Sequence, residues 1–400
     1  MNIVLYVNSF LPTIGGRELV VHYLAGALRE IGHQVRVVGP AGWWSHRKVR
    51  FGYPLHRWPT LRGRFVEQVQ LLQLLLDTAI WGCDIIHAHN TYPTGYIAAR
   101  LKRIRDLPLV VTPHGEDINI VPELGFGMRL NTAVGPKINY TLERTETLTA
   151  ISAGIEASLV NAGALREKIR RIPNGVDVER FQKPVAAADV RKWLKLPAES
   201  RVILTVGNYH PRKGHEVLIR SMPLILHAEP NVYLVIVGRG TDKLRPLLRE
   251  LDLDEKVRLT GSISFPAVAS WGQSHSVNHS PDWLACLYRS SEMYVSAGMD
   301  EGAEGLSLAV LEAMAAGLPV VATNISGNKD IVIHGDNGFL VPPADPSKLA
   351  ETVLLLLKSN DIKFRFGRKA KEIANQYQWR EVARQYLSVY QEAKERNVRG

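Results

Sequence analysis

Cysteine and long apolar runs are what this chain of 400 residues has least of. Its only cysteines are Cys83 and Cys286, so we expect no disulfide framework and a reducing, cytoplasmic setting. No run reaches the ~18 apolar residues that a membrane-spanning helix requires. The most apolar stretch, Phe65 to Trp81, is interrupted by glutamate, glutamine and aspartate, which predicts a helix with one polar face.

Two familiar phosphate-binding patterns are missing as well. The P-loop pattern GxxxxGK[ST] does not occur, and the glycine pair in IGGRE, residues 14–18, does not read GxGxxG. A P-loop is therefore excluded and a dinucleotide site is disfavoured. Adjacent glycines between a strand and a helix still let backbone N–H groups approach a phosphate at the helix N-terminus. A simple tight turn is the alternative interpretation.

The charge balance favours anionic partners. The formal net charge is +10, which is compatible with nucleic acid, acidic lipid or phosphorylated substrates. The basic residues are not organised around any recognised nucleic-acid reading motif, so we do not expect nucleic acid as a partner. A cationic enzyme with no special surface is the plain alternative.

Short β-branched runs alternate with longer amphipathic segments along the chain. Strands are predicted for NIVLYV, QVRVVGP, CDIIHAHN and LPLVVT in the first half, and for SRVILTV, VYLVIV, KVRLTG, EMYVS and LPVVAT in the second. Such alternation predicts parallel sheets, which bind ligands at the carboxyl ends of their strands. We therefore predict two doubly wound α/β domains, residues 1–182 and 190–370, with a C-terminal helical segment, 371–400, that packs back on the first domain. The polar stretch 262–283 is expected to be a surface insertion.

Two acids stand in the stretch EGLSLAVLEAMAAGLPVV, residues 304–321. Glu304 comes just before a predicted helix and Glu312 lies inside it. Eight positions on one helix span roughly 12 Å, too far for the two carboxylates to share a proton or a metal. The spacing suits a long ligand, with each carboxylate binding a different part of it.

Two further polar clusters follow predicted strands. In GNYHPRKGHE, residues 207–216, Arg212 and Lys213 stand at a strand-to-helix turn, where two cations suit a diphosphate; a solvated basic turn is the alternative. In TPHGED, residues 112–117, His114 is a candidate for a cleft, with a structural histidine as the alternative. The histidines at 275 and 279 lie among prolines and serines, which argues against a helical metal site.

These pieces together resemble the family 4 (group 1) retaining glycosyltransferases. The matching segments run in family order over nearly the whole chain. They are IGGRE, GHQVRVV, DIIHAHN, TPHGED, AISAG, IPNGVD, PRKG, IVGRG, EGLSLAVLEAMAAGLPVVAT and DIVIHGDNGFLVPPADP. The Glu-x7-Glu segment with its trailing GLPVVAT is the most specific of them. The resemblance implies the GT-B fold, in which two Rossmann-like domains face each other.

The resemblance also implies roles for the acids and cations. Glu312 matches the acid that holds the ribose hydroxyls of a nucleotide, and Glu304 matches the acid beside the donor hexose. Arg212 and Lys213 match cations that contact the leaving diphosphate. A nucleotide-sugar would then stretch along the segment, with its diphosphate near the positive end of the helix.

The remaining matches lie in loops. Gly15 and Gly16 match the glycine loop of the first domain, near the diphosphate and the acceptor. His114 matches a histidine near the reacting sugar. Gly238 and Gly240 match a turn close to the nucleotide.

The sequence departs from the family pattern at two places. Many members carry arginine directly after the glycine of the first strand of the second domain, where this chain has Asn208; the cationic role would then pass to Arg212. Phenylalanine is common after the first Glu-Gly, where this chain reads Gly305, Leu306, Ser307. Both departures concern the contacts to the donor.

The function that the resemblance implies is transfer of a hexose from a nucleoside-diphosphate sugar to an acceptor hydroxyl of a glycan or lipid-linked glycan, with retention of configuration. No cofactor and no metal are expected, because no DxD-like cluster accompanies the phosphate turn. The alternatives are another GT-B sugar-nucleotide enzyme, such as an epimerase or a phosphorylase, and a silent sugar-nucleotide sensor. No pyridoxal-type lysine that a phosphorylase would need is identifiable.

A basic and aromatic segment, residues 42–65, points to a membrane surface. No acid occurs between Glu30 and Glu67, and the interval holds arginines and a lysine interleaved with aromatic residues. Tryptophan and tyrosine favour the membrane–water interface, and cations favour anionic headgroups. Many relatives act on lipid-linked acceptors, so we expect peripheral binding at the cytoplasmic membrane face. The alternative is an acceptor loop whose aromatic residues pack inward.

Overall fold

The computed structural model describes the chain except for residues 12, 14, 42–50, 60–62, 64, 123–124, 184–186, 264–281, 300–304 and 400. The described residues form two compact units. The first contains Met1–Gly175 together with the C-terminal segment that begins at Trp379, and the second lies between Val176 and Gln378. The change of unit therefore falls at Gly175.

The first unit is built on a parallel sheet. Its strands are β1 (Asn2–Tyr6), β2 (Gln34–Ala41), β3 (Leu55–Pro59), β4 (Ile85–His89), β5 (Leu109–Thr112), β6 (Thr147–Ala150) and β7 (Ile169–Arg171). Their order in the sheet is β3-β2-β1-β4-β5-β6-β7, and every neighbouring pair is parallel. The helices of this part of the chain are α1 (Gly16–Glu30), α2 (Val66–Trp81), α3 (Tyr96–Leu101), α4 (Gly135–Arg144) and α5 (Ala153–Asn161).

The second unit repeats the plan with a sheet of its own. Its strands are β8 (Arg201–Val206), β9 (Val232–Val237), β10 (Val257–Gly261), β11 (Met293–Ser296), β12 (Val320–Thr323) and β13 (Gly338–Val341), in the order β10-β9-β8-β11-β12-β13, again all parallel. The helices are α6 (Val178–Gln182), α7 (Ala187–Trp193), α8 (His215–Ala228), α9 (Arg245–Glu250), α10 (Trp283–Ser290), α11 (Leu308–Ala316), α12 (Pro346–Lys358) and α13 (Asn360–Ala374). Helix α14 (Trp379–Arg399) returns to the first unit.

The central strands are continuous apolar runs because both faces of each sheet are covered. The segment Val202–Leu204 in β8 and the segment Leu234–Ile236 in β9 are at most 2% exposed. Parallel pairing places the carboxyl ends of all strands of a sheet on one edge, and the polar and glycine-rich turns follow those ends. The predicted doubly wound α/β architecture is thus confirmed.

The C-terminal helix packs on the first unit, as the sequence predicts. The ring of Trp379, at the start of α14, stacks on Tyr23 of α1 with centroids 5.6 Å apart. Further along α14, Tyr386 and Tyr390 are buried. The hydroxyl of Tyr390 lies 2.8 Å from Nδ1 of His87 on β4. The helix is therefore part of the first unit's core.

The predicted helix of the stretch 65–81 is α2, and its polar side chains are not all exposed. Asp77 is buried and Glu67 is half-buried. The exposed side chains include four large apolar ones at helical spacing, Phe65, Leu72, Leu76 and Ile80, which are 67, 54, 40 and 80% exposed. In the described part of the chain, no helix combines the length and apolarity needed to cross a bilayer.

Three aromatic residues of the basic segment pack inward, which corrects the expectation that its aromatic residues lie at headgroup level. Tyr53 is buried, with its hydroxyl 2.6 Å from Nδ1 of His22. Phe51 lies against Tyr53, and Trp58 donates from Nε1 to Asp77. The part of the segment that covers residues 42–50, with its two neighbouring tryptophans, lies outside the described residues, as does most of the insertion 262–283.

Asp77 is a buried carboxylate that ties three elements together. Its side chain is fully buried. It accepts hydrogen bonds from Arg36 of β2 at 3.3 Å and from Trp58 of β3, and it pairs with His56 of the same strand. This network explains how β3, a strand that the sequence did not predict, is held at the edge of the sheet.

We expect Asp77→Ala to destabilise the protein by about 3–5 kcal/mol, because Arg36 would keep a poorly solvated charge without its carboxylate. Urea unfolding followed by tryptophan fluorescence measures the change. The matched control is Glu381→Ala, which breaks an ion pair with Arg384 on α14 where Glu381 is 47% exposed, and which should cost at most about 1 kcal/mol. Equal losses in the two variants would mean that Asp77 does not anchor β3.

Candidate active site

The first polar, glycine-containing turn of the second unit follows β8. Its geometry depends on glycine, because a Cβ at Gly238 would overlap the carbonyl oxygen of Gly207, and Gly238 has a φ of 155°. The side chain of Asn208 accepts a hydrogen bond from the N–H of Arg239 at 2.9 Å. The turns after β8 and β9 are thereby held against each other. Gly240, two residues on, also has a left-handed backbone, with a φ of 77°.

The predicted cations lie on a short 3-10 turn, Pro211–Lys213, just before α8. The turn ends at Gly214, where φ is 64° and any Cβ would overlap the carbonyl oxygen of Ala297. The N–H of Met299 donates to the carbonyl oxygen of Arg212 at 2.9 Å. The cationic turn is thus fixed against the loop that follows β11. Arg212 and Lys213 are both half-buried at this edge.

The residues that lead into α11 form the third part of this edge. Gly305 is fixed by Gly327, whose φ is 83° and where a Cβ would overlap the carbonyl oxygen of Gly305. Leu306 is buried and packs into the unit. Ser307 is the N-cap residue of α11, and its side chain makes no capping hydrogen bond. The helix therefore presents its partial positive charge without a side-chain cap.

Glu312 is the buried carboxylate of this edge. It lies on α11 and is 8% exposed. The hydroxyl of Tyr288, on α10, donates to its Oε2 at 3.0 Å and lies 3.2 Å from the carbonyl oxygen of Ala309. Burial raises the pKa of Glu312 to about 7, opposed by the positive charge of Arg180 and by the Tyr288 hydrogen bond. The carboxylate is therefore poorly compensated and would gain from donors supplied by a ligand.

The first unit contributes a separate group of predicted residues. Gly15 is the N-cap of α1, with φ −151°, an extended conformation. Gly16 has open space around it, since a Cβ there would meet nothing within 4 Å. Arg17 follows and donates to Glu18 at 2.9 Å. The start of α1 thus carries a glycine pair and a cation at the carboxyl end of β1.

His114 follows β5 at the same edge of the first sheet. Its backbone N–H donates to Oδ1 of Asp117 at 2.9 Å, and its ring is half-buried. Nε2 of His114 lies 3.0 Å from Nδ1 of His89, and the two rings stack with centroids 5.3 Å apart. Burial lowers the pKa of His114 well below the usual value, helped by His89 and by the positive charge of Arg17.

The structure thus places the predicted residues on two sheet edges, one in each unit. Glu304 lies outside the described residues. The sequence did not single out Tyr288, Asp117, Arg17 or His89. For His89 a signal was present, because His87 and His89 stand at alternating positions at the end of a predicted strand. Within the described ranges, no group of three or more histidine, cysteine, aspartate or glutamate side chains is arranged to hold a metal ion.

Comparison with known proteins identifies the family. The model described as glycosyl transferases group 1 matches residues 200–359, and the model for Glycosyltransferase Family 4 matches residues 14–180. The chain is 30% identical over 387 residues to the phosphatidyl-myo-inositol mannosyltransferase of Mycolicibacterium smegmatis, which covers 94% of this chain and 90% of that relative. It is 26% identical over 397 residues to the GDP-mannose-dependent alpha-(1-6)-phosphatidylinositol monomannoside mannosyltransferase of Mycobacterium tuberculosis, covering 95% and 96%.

Solved structures confirm the fold. Sucrose-phosphate synthase from Thermosynechococcus elongatus matches with a TM-score of 0.80 at 22% identity, over 98% of both chains. The Anabaena protein HepE in complex with UDP-glucose matches with a TM-score of 0.78 at 20% identity, over 97% of this chain and 98% of that one. The two α/β units are those of the GT-B fold. On these matches, the chain belongs to the group 1, family 4 glycosyltransferases and is a sugar-nucleotide-dependent transferase.

Proposed function

We propose that the protein transfers a hexose from a nucleoside-diphosphate sugar to a hydroxyl of a lipid-linked or glycan acceptor, with retention of configuration and without a metal ion. The observation that carries the proposal is the edge of the second sheet. There a buried, under-compensated carboxylate, Glu312, and a rigid cationic turn, Arg212 with Lys213, follow strands of the same parallel sheet. A nucleotide-sugar has ribose hydroxyls that donate and a diphosphate that needs cations.

In this proposal each candidate site residue contacts a different part of the donor. Glu312 accepts from the ribose hydroxyls, and Glu304 lies beside the hexose. The turns at Asn208, Gly238 and Gly240 surround the nucleotide, and the stretch Gly305, Leu306, Ser307 leads the diphosphate to the N-terminus of α11. In a front-face reaction the bond between C1 and the diphosphate oxygen breaks as the acceptor oxygen bonds to C1. The departing diphosphate takes the acceptor proton, and Arg212 and Lys213 stabilise the charge that develops on it.

The names of relatives support the donor and acceptor classes. The mycobacterial proteins are named as mannosyltransferases of phosphatidylinositol compounds, one of them GDP-mannose-dependent, and HepE was crystallised with UDP-glucose. These properties belong to those proteins. They favour a hexose donor and a lipid-linked acceptor here.

The proposal is tested by a panel of UDP-, GDP- and ADP-hexoses in buffer that contains EDTA. We expect one nucleotide class to raise the melting temperature, because a ligand at 100 times its Kd adds about 2.7 kcal/mol of stability. With the matching donor, Glu312→Ala should weaken nucleotide binding in calorimetry. Glu304→Gln should leave that affinity nearly unchanged and reduce turnover by orders of magnitude.

The reverse assignment of the two glutamates would show that the ligand does not lie along 304–321 as proposed. An inactive protein in EDTA that recovers with Mg²⁺ or Mn²⁺ would overturn metal independence. Inversion at the anomeric carbon, read by NMR of the product, would overturn retention.

Nucleotide binding should depend on pH through Glu312. Since its pKa is raised to about 7 by burial, the group is protonated in the free enzyme below that pH and cannot accept from both ribose hydroxyls. We expect affinity to fall by up to about tenfold per pH unit below 7. Tyr288→Phe removes a donor that favours the carboxylate, so the fall should begin at higher pH.

Calorimetric titrations between pH 5.5 and 8.5 measure this profile. The matched control is Tyr294→Phe, another buried tyrosine, whose hydroxyl donates to the carbonyl oxygen of Val206 at 3.3 Å. It should keep the wild-type profile. An affinity that is independent of pH in the wild type would mean that Glu312 does not hold the ribose.

We also propose that the enzyme binds anionic membranes peripherally through the first unit. The exposed apolar side chains Leu72, Leu76 and Ile80 of α2, with Phe65 just before the helix, support this proposal. Such a stripe next to a basic segment favours a helix that lies in the membrane interface. The acid-free interval before Glu67 supplies the cations. In this proposal the apolar contact with the membrane is made by these exposed side chains and not by the aromatic residues that pack inward.

Co-sedimentation with phosphatidylglycerol vesicles tests the membrane proposal. Binding should fall with salt and with Arg47, Lys48 and Arg50 changed to glutamate. It should also fall in Leu72→Ser/Ile80→Ser. Phe364→Ser, at a 75% exposed position on α13 of the second unit, is the control and should bind like wild type. If the wild-type protein does not bind such vesicles at low salt, the membrane proposal is wrong and the segment 42–65 is better explained as an acceptor loop.

A further inference from the structure

The ring of His114 has one hydrogen-bond partner among the described residues, the ring of His89. The contact joins Nε2 of His114 to Nδ1 of His89 at 3.0 Å. His89 is the last residue of β4 and is fully buried. Burial lowers the pKa of both histidines, so the pair is uncharged at neutral pH and one ring donates to the other.

The second nitrogen of His89 decides which ring donates. Its Nε2 is buried and has no hydrogen-bond partner within the described part of the chain. Burial lowers the pKa of His89, and the positive charge of the Arg17 guanidinium lowers that pKa further. A proton on Nε2 would be a buried donor without an acceptor, in a positive field. A lone pair on Nε2 is favoured by that field instead.

The proton of His89 therefore lies on Nδ1, and His89 donates to Nε2 of His114. In an uncharged imidazole only one nitrogen carries a proton. The proton of His114 must then lie on Nδ1, the nitrogen for which the described residues provide no partner. The ring of His114 is half-buried, so this N–H can donate to a bound ligand.

We propose that His89 is a positioning residue that fixes the tautomer of His114, so that His114 meets the substrate as a hydrogen-bond donor and never as a proton acceptor. The inference rests on the proposed transferase function for its substrate. It assigns His114 to an oxygen of the transferred sugar or of the acceptor. It also leaves the departing diphosphate as the base for the acceptor proton.

Other charged and titratable groups face the pair from every side. Arg17 comes from α1, Asp117 from the loop after β5, and His87 from β4 with its ring centroid 4.2 Å from that of His89. His87 is satisfied at both nitrogens, by Tyr390 of α14 at 2.8 Å and by Thr112 at 2.6 Å. It therefore takes no proton from the pair and gives none to it.

Three substitutions separate the tautomer effect from loss of packing. His89→Asn places an amide N–H where Nδ1–H stands and should keep turnover within about threefold. His89→Leu removes the donor and should lower kcat by about 10- to 100-fold with little change in KM. His89→Asp places an acceptor there, which should put the proton of neutral His114 on Nε2 and raise the pKa of His114. With saturating donor, kcat should then be low above that pKa and should recover as pH falls, because the protonated ring again carries a proton on Nδ1.

The ¹⁵N resonances of His114, assigned through a His114→Gln variant, report the tautomer independently of turnover. Wild type and His89→Asn should show the proton on Nδ1, and His89→Asp should show it on Nε2. His22→Asn is the control, because His22 is equally buried but bonds to Tyr53, and it should leave the His114 resonances unchanged.

A wild-type ring with its proton on Nε2 would overturn the inference, even if no variant folded. Equal kcat in His89→Leu and wild type would also overturn it. If the resonances behave as expected and no sugar transfer occurs with any donor, the histidine pair stands and the proposed function fails instead.

Discussion

Parallel strand pairing is the constraint on which both candidate sites depend. In the first sheet Ile3 pairs with Val35 on one side and with Ile85 on the other, all running the same way. In the second sheet Ile203 pairs with Leu234 and with Met293 in the same sense. Each strand therefore delivers its following turn to one edge. Distant parts of the sequence, such as the PRKG turn and the N-terminus of α11, are therefore brought to the same edge of the second sheet.

Close backbone contacts then make these edges rigid. Gly214, Gly238 and Gly327 each stand where a Cβ would overlap a carbonyl oxygen of another turn. Their positive φ angles, 64°, 155° and 83°, are costly for other residues. The turns are thus held in place before a ligand arrives. Preorganised charge of this kind is what stabilises a leaving diphosphate at little reorganisation cost.

Sequence reasoning reached the fold and most of the edge residues because their signals are local. The alternation of apolar runs with helices predicted the sheets. The candidate residues from Gly305 to Glu312 lie within one short motif, so they could be picked out without knowing the fold. It did not reach Tyr288, because that tyrosine meets Glu312 from α10, 24 positions away. It did not reach the buried network of Asp77 for a similar reason, because the partners Arg36 and Trp58 lie far from Asp77 in the sequence.

The buried polar groups of this protein differ in how many of their hydrogen-bonding atoms have partners, and this difference distinguishes structural groups from candidate ligand-binding groups. Asp77 is fully buried and has partners on both carboxylate oxygens, so nothing is left for a ligand to add. Glu312 is nearly as buried and receives one hydrogen bond, from Tyr288, among the described residues. The same contrast distinguishes two histidines of β4, since His87 is bonded at both nitrogens and His89 at only one.

An incompletely satisfied buried group costs stability, and the cost is recovered when a ligand supplies the missing partner. For Glu312 the sign of the cost follows from its raised pKa, because the folded state holds a proton between the usual value of 4.5 and about 7 that the unfolded state has lost. Folding is therefore opposed as pH rises through that range. Under the proposed function, the ribose hydroxyls supply the missing hydrogen bonds, and the electrostatic cost of burying Glu312 in the free protein is then recovered as affinity for the donor.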